Sequence, residues 1–235
     1  MNDGERGAIV VIPTYNEKEN VENLIPAIFS LVPEIHVLVV DDNSPDGTAE
    51  AIQKLKKTYS GLRLLSRRRK EGLGKAYVQG FEEALKDPQI STLIMMDADL
   101  SHDPKHLKEM LALRSEYDLV IGSRYIPGGA TIGWELWRRL LSRFANLYAR
   151  TIIGAPFKDC TTGYNAISAK ILSTVNFDTI NLSGYAFIIH LKYLLYKAGA
   201  RVREIPIVFK NRTAGTSKMS LNIISEGVLA PWKML

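Results

Sequence analysis

Short runs of aliphatic and β-branched residues, AIVVIP, IHVLVVDD, LRLLS, STLIMMD and DLVIGS, recur along the first half of the chain with helix-like segments such as EKENVENLIPAIFSLV and GTAEAIQKLKKTY between them. A strand that is apolar on both sides of its pleat has to be covered on both faces. Strands alternating with helices supply that cover as βαβ units, so the pattern predicts a doubly wound, mostly parallel α/β sheet. In such a sheet ligands lie outside the carboxyl ends of the strands, where the strand order reverses. The polar clusters PTYNE, DDNSPDGT and DADLSHDP sit at those ends.

At 235 residues, 46% hydrophobic and 23% charged, the chain suits one domain with a substantial core. The boundary near residue 126 reads as a join between two halves, 1–125 and 126–235, of that one domain. A single cysteine, Cys160, excludes an internal disulfide framework and a cysteine-built metal site. The opening MNDGERGAIVVIP lacks the pattern of a secretory leader, and charged residues interrupt the later apolar windows before any reaches a bilayer-spanning length. The formal net charge of +5 fits an anionic partner such as a phosphate, a lipid headgroup or a nucleic acid, and fits equally a merely basic surface.

Each polar cluster has a structural and a chemical reading. In PTYNE, Asn16 can cap the following helix, or Pro13 and Tyr15 can form a wall for a flat base with Glu17 accepting from base or ribose. In VVDDNSPDGT, Asp41 and Asp42 end a strand where nucleotide-binding folds place a ribose acceptor. One of the two is expected to serve the turn, with Asp46 or Thr48 capping the next helix. In MMDADLSHDP, Asp97 and Asp99 on one side of an extended segment can converge on a hard cation that substrate phosphate oxygens complete. Ser101 either touches that metal through water or only shapes the turn. His102 and His106 read as surface polarity rather than transition-metal ligands, and Asp103-Pro104 as a helix start. The run RRRK, Arg67 to Lys70, reads as a solvated face. P-loop, GxGxxG, HExxH and nucleophile-elbow patterns are missing.

The second half supplies scattered cations: Arg124 in GSRY, the Arg138 to Arg143 cluster, and Arg212 and Lys218 flanking Gly215 in a loop after a strand. Guanidinium groups grip phosphate bidentately and ammonium groups act on it as point charges. WELWRRLLSRFANLYARTII is helical in pattern and mixes Trp134, Trp137 and Phe144 with arginines. By itself it reads as a packing helix with a basic outer face.

Taken in order, PTYNE, VVDDNSPDGT, GLGKA, MDADLSHDP, GSRY, SRFAN, DCTTGYNAIS, GYAF and EIPIVFKNRTAGTSK resemble the dolichol-phosphate mannosyltransferases among the family 2 glycosyltransferases, from about residue 8 to 220. The resemblance implies a GT-A fold and inverting transfer of mannose from GDP-mannose to a polyprenyl (dolichyl) phosphate, with Mg2+ or Mn2+. By position it implies that Pro13, Tyr15, Glu17, Val40 and Asp42 hold the guanosine part, and that Asp97, Ala98 and Asp99 face metal and diphosphate, with Ser101 beside them. Arg124, Arg212 and Lys218 would meet phosphates of donor and acceptor and, with Asp99, carry catalysis, and Arg139 with Ser142 would help the acceptor. The implied partners are a nucleotide sugar, the lipid phosphate, a membrane surface that the Trp- and Arg-bearing helix from Trp134 onward would meet, and a small membrane-anchoring subunit, with no nucleic acid. The implied location is the cytoplasmic face of a membrane, reached peripherally, through a partner, or through a removed C-terminal segment.

An acceptor phosphate is already ionised at neutral pH, so this chemistry needs positioning and charge neutralisation rather than a general base. The chain departs from many relatives after GYAF, where Ile188 and His190 replace Gln and Glu; a structural helix face tolerates both. Two rival readings stand beside the mannosyltransferase: a polyprenyl-phosphate glucosyltransferase using UDP-glucose, and a catalytically silent nucleotide-binding subunit of a membrane complex.

Overall fold

The computed structural model describes residues 7–180, 184–210 and 231–232. The first half builds β1 (Gly7–Thr14), α1 (Lys18–Leu31), β2 (His36–Asp41), α2 (Thr48–Leu55), β3 (Leu62–Ser66), α3 (Leu73–Leu85) and β4 (Ile90–Met95). A 3-10 turn (Pro104–His106), α4 (Leu107–Ala112) and β5 (Leu119–Ser123) follow. The second half adds β6 (Ala130–Ile132), α5 (Leu136–Ile153), β7 (Asn165–Ser168), α6 (Ala169–Leu172), α7 (Gly184–Lys197), β8 (Val202–Pro206) and β9 (Val208–Lys210).

The central sheet has seven strands in the order β3-β2-β1-β4-β7-β5-β8, and β6 pairs with β9 in a small ribbon. Alternation along the strands divides the interior into two cores. Ile9, Val11, Leu38, Val40, Leu93, Met95, Leu119 and Ile121 point to one face, where Tyr77, Phe81 and Ala84 of α3 and Phe187, Leu191 and Leu195 of α7 cover them. Val10, Ile12, Val37, Val39, Ile94 and Val120 point to the other, under Leu24, Ile25 and Ile28 of α1, Ile52 of α2 and Leu107 and Met110 of α4. Near-continuous apolar runs are what a strand buried on both faces requires. Gly80 lets α3 lie close on the sheet, since a Cβ there would come within 2.6 Å of Val11 Cγ1.

The strand order turns back at β1, whose neighbours are β2 and β4. All main-sheet pairings are parallel except those of β7, which runs antiparallel to both β4 and β5. This exception places the site. Because β7 runs the other way, the loop leading into it, residues 159–164, arrives at the same edge as the carboxyl ends of β1, β2, β4 and β5. Both halves of the chain thus contribute strands to one sheet, as expected of a single domain.

Candidate active site

At the β1 and β2 ends, Pro13 pairs with Val40 and Thr14 with Asp41. Asp41 is consumed by local structure: it accepts from Thr14 Oγ1 at 2.9 Å, from Ser44 Oγ at 2.6 Å and from Ser44 N at 3.0 Å. Asp42 is buried and paired with the buried Arg67, which also reaches Gln79 Oε1 at 2.8 Å and Glu71 Oε2 at 3.0 Å. The solvated-face reading of RRRK therefore holds for Arg68, Arg69 and Lys70 but not for Arg67, which the chain turns inward as the counter-cation of Asp42. Val40 is fully buried and touches the space of Gly80, so only its backbone faces the edge. Tyr15 and Glu17 are half-buried at that edge; Lys70 Nζ lies 3.9 Å above the Tyr15 ring and Glu17 accepts from Asn20 Nδ2 at 2.6 Å.

The expected helix caps shift by a residue. Asn16 takes a left-handed φ of 59° and donates its N–H to Ser44 Oγ instead of capping α1, whose N-cap position falls on Glu17 without a side-chain cap. Asp46 accepts from Thr48 N and from Lys18 N, tying the starts of α1 and α2 together.

Residues 96–103 leave the end of β4 in a bend, not as an extended segment. Leu100 sits at φ 61°, a conformation that costs a bulky side chain energy and that the surrounding contacts must hold in place. Asp97 is half-exposed, whereas Asp99 is buried and takes the Ser101 hydroxyl at 2.5 Å and the Ser101 N–H at 3.1 Å on one oxygen. Ser101 thus shapes the turn and orients Asp99. Ala98 is buried between the two acids.

His102 is wholly buried, against the surface reading, because it props this turn from below. Its Nδ1 accepts from the Asp97 N–H at 3.0 Å, and its ring stacks on Tyr164 at 4.9 Å. With Nδ1 accepting, the neutral ring carries its proton on Nε2, 3.9 Å from Asp97 Oδ2. Burial lowers the His102 pKa, against the pull of Asp97 and Asp99. The Tyr77 hydroxyl lies 3.5 Å from Asp97 Oδ1; burial, and then that carboxylate, push the phenol up, so it remains a neutral donor. His106 is half-buried. Asp103 accepts from Lys105 N at 3.1 Å and starts the 3-10 turn as expected.

Arg124, at the β5 end, is buried and gripped by Asp159, with Nε and Nη2 each 2.8 Å from a carboxylate oxygen and the Arg124 N–H adding a third bond. Nη2 also donates to Thr161 Oγ1 at 2.7 Å. Burial alone would raise the Asp159 pKa; the Arg124 charge and hydrogen bonds outweigh it and hold the carboxyl below its ordinary value. On α5, Ser142 accepts from the Tyr125 hydroxyl at 2.6 Å and Arg139 is exposed. Trp134 is buried, with Arg138 stacked over it at 4.3 Å, so of the two tryptophans on this segment only Trp137 is exposed. Arg212 and Lys218 lie outside the described residues.

Sequence reasoning missed Asp159, Asn146 and Lys192. The Asn146 carboxamide accepts from Cys160 N and Thr161 N, and Lys192 Nζ donates to two carbonyls of the same loop. A lysine interrupting the apolar helix GYAFIIHLKYLLYK was the available signal for one of them. Cys160 is buried and its thiol is pushed up to about 12 by desolvation, so it is inert.

Asp97 and Asp99 are the hard oxygen donors of the turn after β4. Among the described residues no group of three or more His, Cys, Asp or Glu could hold a metal ion. The donor set fits Mg2+ or Mn2+, which keep few protein ligands and take phosphate oxygens for the rest.

The sheet order, the switch point beside β1 and the acidic turn after β4 define a fold of the GT-A type. The solved structure of glucosyl-3-phosphoglycerate synthase from Mycobacterium tuberculosis with Mn2+, UDP and glucosyl-3-phosphoglycerate has this fold. It matches with a TM-score of 0.66 at 20% identity, over 97% of this chain and 78% of that one. Residues 9–175 match the family described as Glycosyl transferase family 2. The chain is 41% identical to the polyprenol monophosphomannose synthase of Mycolicibacterium smegmatis over 95% of its own length and 86% of that protein's. It is 39% identical to the undecaprenyl-phosphate mannosyltransferase of Micrococcus luteus, over 94% and 90%. With the dolichol-phosphate mannosyltransferase of Pyrococcus furiosus the identity is 33%, and the chain spans 60% of that protein. The chain belongs to glycosyltransferase family 2.

The buried Asp42–Arg67 pair generates a stability prediction. Arg67→Met leaves a carboxylate buried without its cation and should cost about 3–5 kcal/mol in urea unfolding, most of it recovered in the double variant with Asp42→Asn. A cost of the single variant below about 1 kcal/mol, the level of an exposed ion pair, would contradict the assignment.

Proposed function

We propose that this chain transfers mannose from GDP-mannose to a polyprenyl phosphate with inversion, giving a β-linked lipid mannosyl phosphate and GDP. The observation that carries the reading is the convergence at one sheet edge of the acidic turn after β4, the Arg124 end of β5 and helix α5, tied to them through Tyr125–Ser142 and Asn146. The relatives named for polyprenyl-phosphate mannosyl transfer support it, and the Mn2+ and UDP of the fold neighbour support a metal and a nucleotide as its ligands.

Residues 1–125 form the donor half in this reading and 126–235 the acceptor half. Pro13, Tyr15, Glu17, the Val40 backbone and Asp42 face the guanosine. Asp97 and Asp99 hold Mg2+ or Mn2+, with Ser101 orienting Asp99. When bound, the metal stabilises the charge that develops on the diphosphate leaving group. An oxygen of the acceptor phosphate attacks the anomeric carbon as the bond to the diphosphate oxygen breaks, and that bonding pair leaves with GDP. No proton needs to move. Arg124, Arg139 and Ser142, with Arg212 and Lys218, lessen the repulsion between the two anions.

The lipid acceptor also calls for a surface that meets a bilayer, and α5 has one. Leu136, Trp137, Leu140, Phe144 and Leu147 are all exposed, and at about 100° per residue they fall on one stripe of the helix. Arg139 and Arg143 are exposed along the border of that stripe. An apolar stripe bordered by arginines suits an anionic membrane surface, in which the helix lies flat. No helix among the described residues is long and apolar enough to cross a membrane. A cytoplasmic-face location and a small anchoring subunit belong to the same proposal.

Two measurements test these readings. In a transfer assay with labelled GDP-mannose, UDP-glucose and a polyprenyl phosphate, label should enter the lipid from GDP-mannose only with Mg2+ or Mn2+. Asp99→Ala should lose at least about a hundredfold while keeping its circular dichroism. Label entering only from UDP-glucose favours the glucosyltransferase, and none from either favours a silent subunit. In vesicle sedimentation, the protein should bind anionic vesicles better than neutral ones, and Trp137→Glu with Phe144→Glu should weaken binding at least about tenfold. Binding that ignores the double substitution would remove α5 from the contact.

A further inference from the structure

Lys192 lies in the middle of α7, two residues after His190 in an otherwise apolar stretch, and it is 1% exposed. Its Nζ donates to two backbone carbonyls, Asp159 O and Thr162 O, each at 2.9 Å. Asp159's carboxylate pairs with Arg124, so the lysine grips the backbone of the very residue whose side chain holds the arginine. Desolvation lowers the ammonium to about 8, partly offset by Asp159, Cys160 and Glu204 and deepened by Arg124. Burying a group this strongly hydrated is costly, and two loop carbonyls need no cation to satisfy them.

The loop it holds touches every part of the acceptor side. Through Asp159 and Thr161 it fixes the Arg124 guanidinium. Through Cys160 N and Thr161 N it is tied to Asn146 on α5, one turn beyond Ser142, whose carbonyl accepts from the same carboxamide at 2.8 Å. Tyr164 stacks on His102 and donates to Asp103 O at 3.1 Å, joining the loop to the acidic turn. Asn146 and Arg124 grip the loop from α5 and β5; Lys192 is the grip from α7.

We propose that Lys192 is a positioning residue for the acceptor phosphate, clamping residues 159–162 so that Arg124 and the Ser142 end of α5 are presented in one fixed arrangement. The inference rests on the acceptor reading above and adds a residue that touches neither substrate. It predicts a split effect. Misplacing the loop should harm use of the lipid phosphate and spare the nucleotide, whose contacts lie across the edge at β1, β2 and the β4 turn.

The test compares wild type with Lys192→Met, which has no donor, and Lys192→Arg, which keeps donors and charge. Three readouts are taken: the KM for polyprenyl phosphate, the affinity for GDP with Mn2+ by calorimetry, and amide hydrogen exchange in the segment 158–164. Lys192→Met should raise the acceptor KM by about tenfold or more, leave GDP affinity within about twofold, and speed exchange in that segment, with Lys192→Arg recovering most of the loss. If Lys192→Met does not fold, Lys192→Gln, a shorter neutral donor, carries the same comparison. Faster exchange with an unchanged acceptor KM, or equal losses of acceptor and GDP, would overturn the inference while leaving the function standing. A wild type that binds GDP with Mn2+ yet never labels polyprenyl phosphate would instead sink the acceptor reading, and this inference with it.

Discussion

The structure turns on the antiparallel insertion of β7, where Asn165 pairs with Met95 on one side and Ile121 on the other. In a purely parallel sheet, the chain reaches the carboxyl edge only as strands leave it. Reversing one strand delivers an entering loop to that edge as well, and here that loop carries Asp159, Thr161 and Tyr164. Arg124 and the Asp97–Asp99 turn are thereby bridged by a single segment, which the sheet's own hydrogen bonds hold in register. A slip of one residue would exchange the two faces of β7 and move Asn165 and Ile167 together.

The charged residues at the edge lie at two depths. Asp41 organises its turn, Asp42 and Arg67 neutralise each other, and Asp159 holds Arg124. Each is buried, and each has its partner within the protein. Asp97, Tyr15 and Glu17 are half-exposed at the ends of β1 and β4, and Arg139 is exposed on α5. The deeper charges set the geometry of the exposed ones. Arg124, locked into a fork by Asp159, has already lost rotamer freedom that an unrestrained arginine would lose on binding, so in the proposed function it would meet a phosphate pre-organised.

Much of this architecture was legible in the sequence, because strands buried on both faces betray themselves by unbroken apolar runs and turns by their Asn, Asp, Gly and Pro. The parallel sheet, the edge clusters PTYNE, DDNSPDGT and DADLSHDP, and the start at Asp103-Pro104 all follow from local chemistry. What was not legible depends on contacts distant in sequence. His102 read as surface polarity because nothing near it announces that Tyr164 will stack on it. Arg67 sits in a basic run whose other members are solvated, and its partner Asp42 lies 25 positions away. Trp134 and Trp137 look alike in the sequence, yet one packs beneath Arg138 and the other faces outward, a difference set by the helix start at Leu136.

The central claim is that the protein supplies two carboxylate arms, Asp97 and Asp99, to a metal site that the nucleotide diphosphate completes. Calorimetric titration of Mn2+ with and without GDP tests it most directly. The account predicts weak Mn2+ binding to the protein alone and binding at least about tenfold tighter when GDP is present, since each additional oxygen ligand comes from the diphosphate. Equally tight Mn2+ binding in the absence of GDP would show a site built by the protein by itself and would contradict the account.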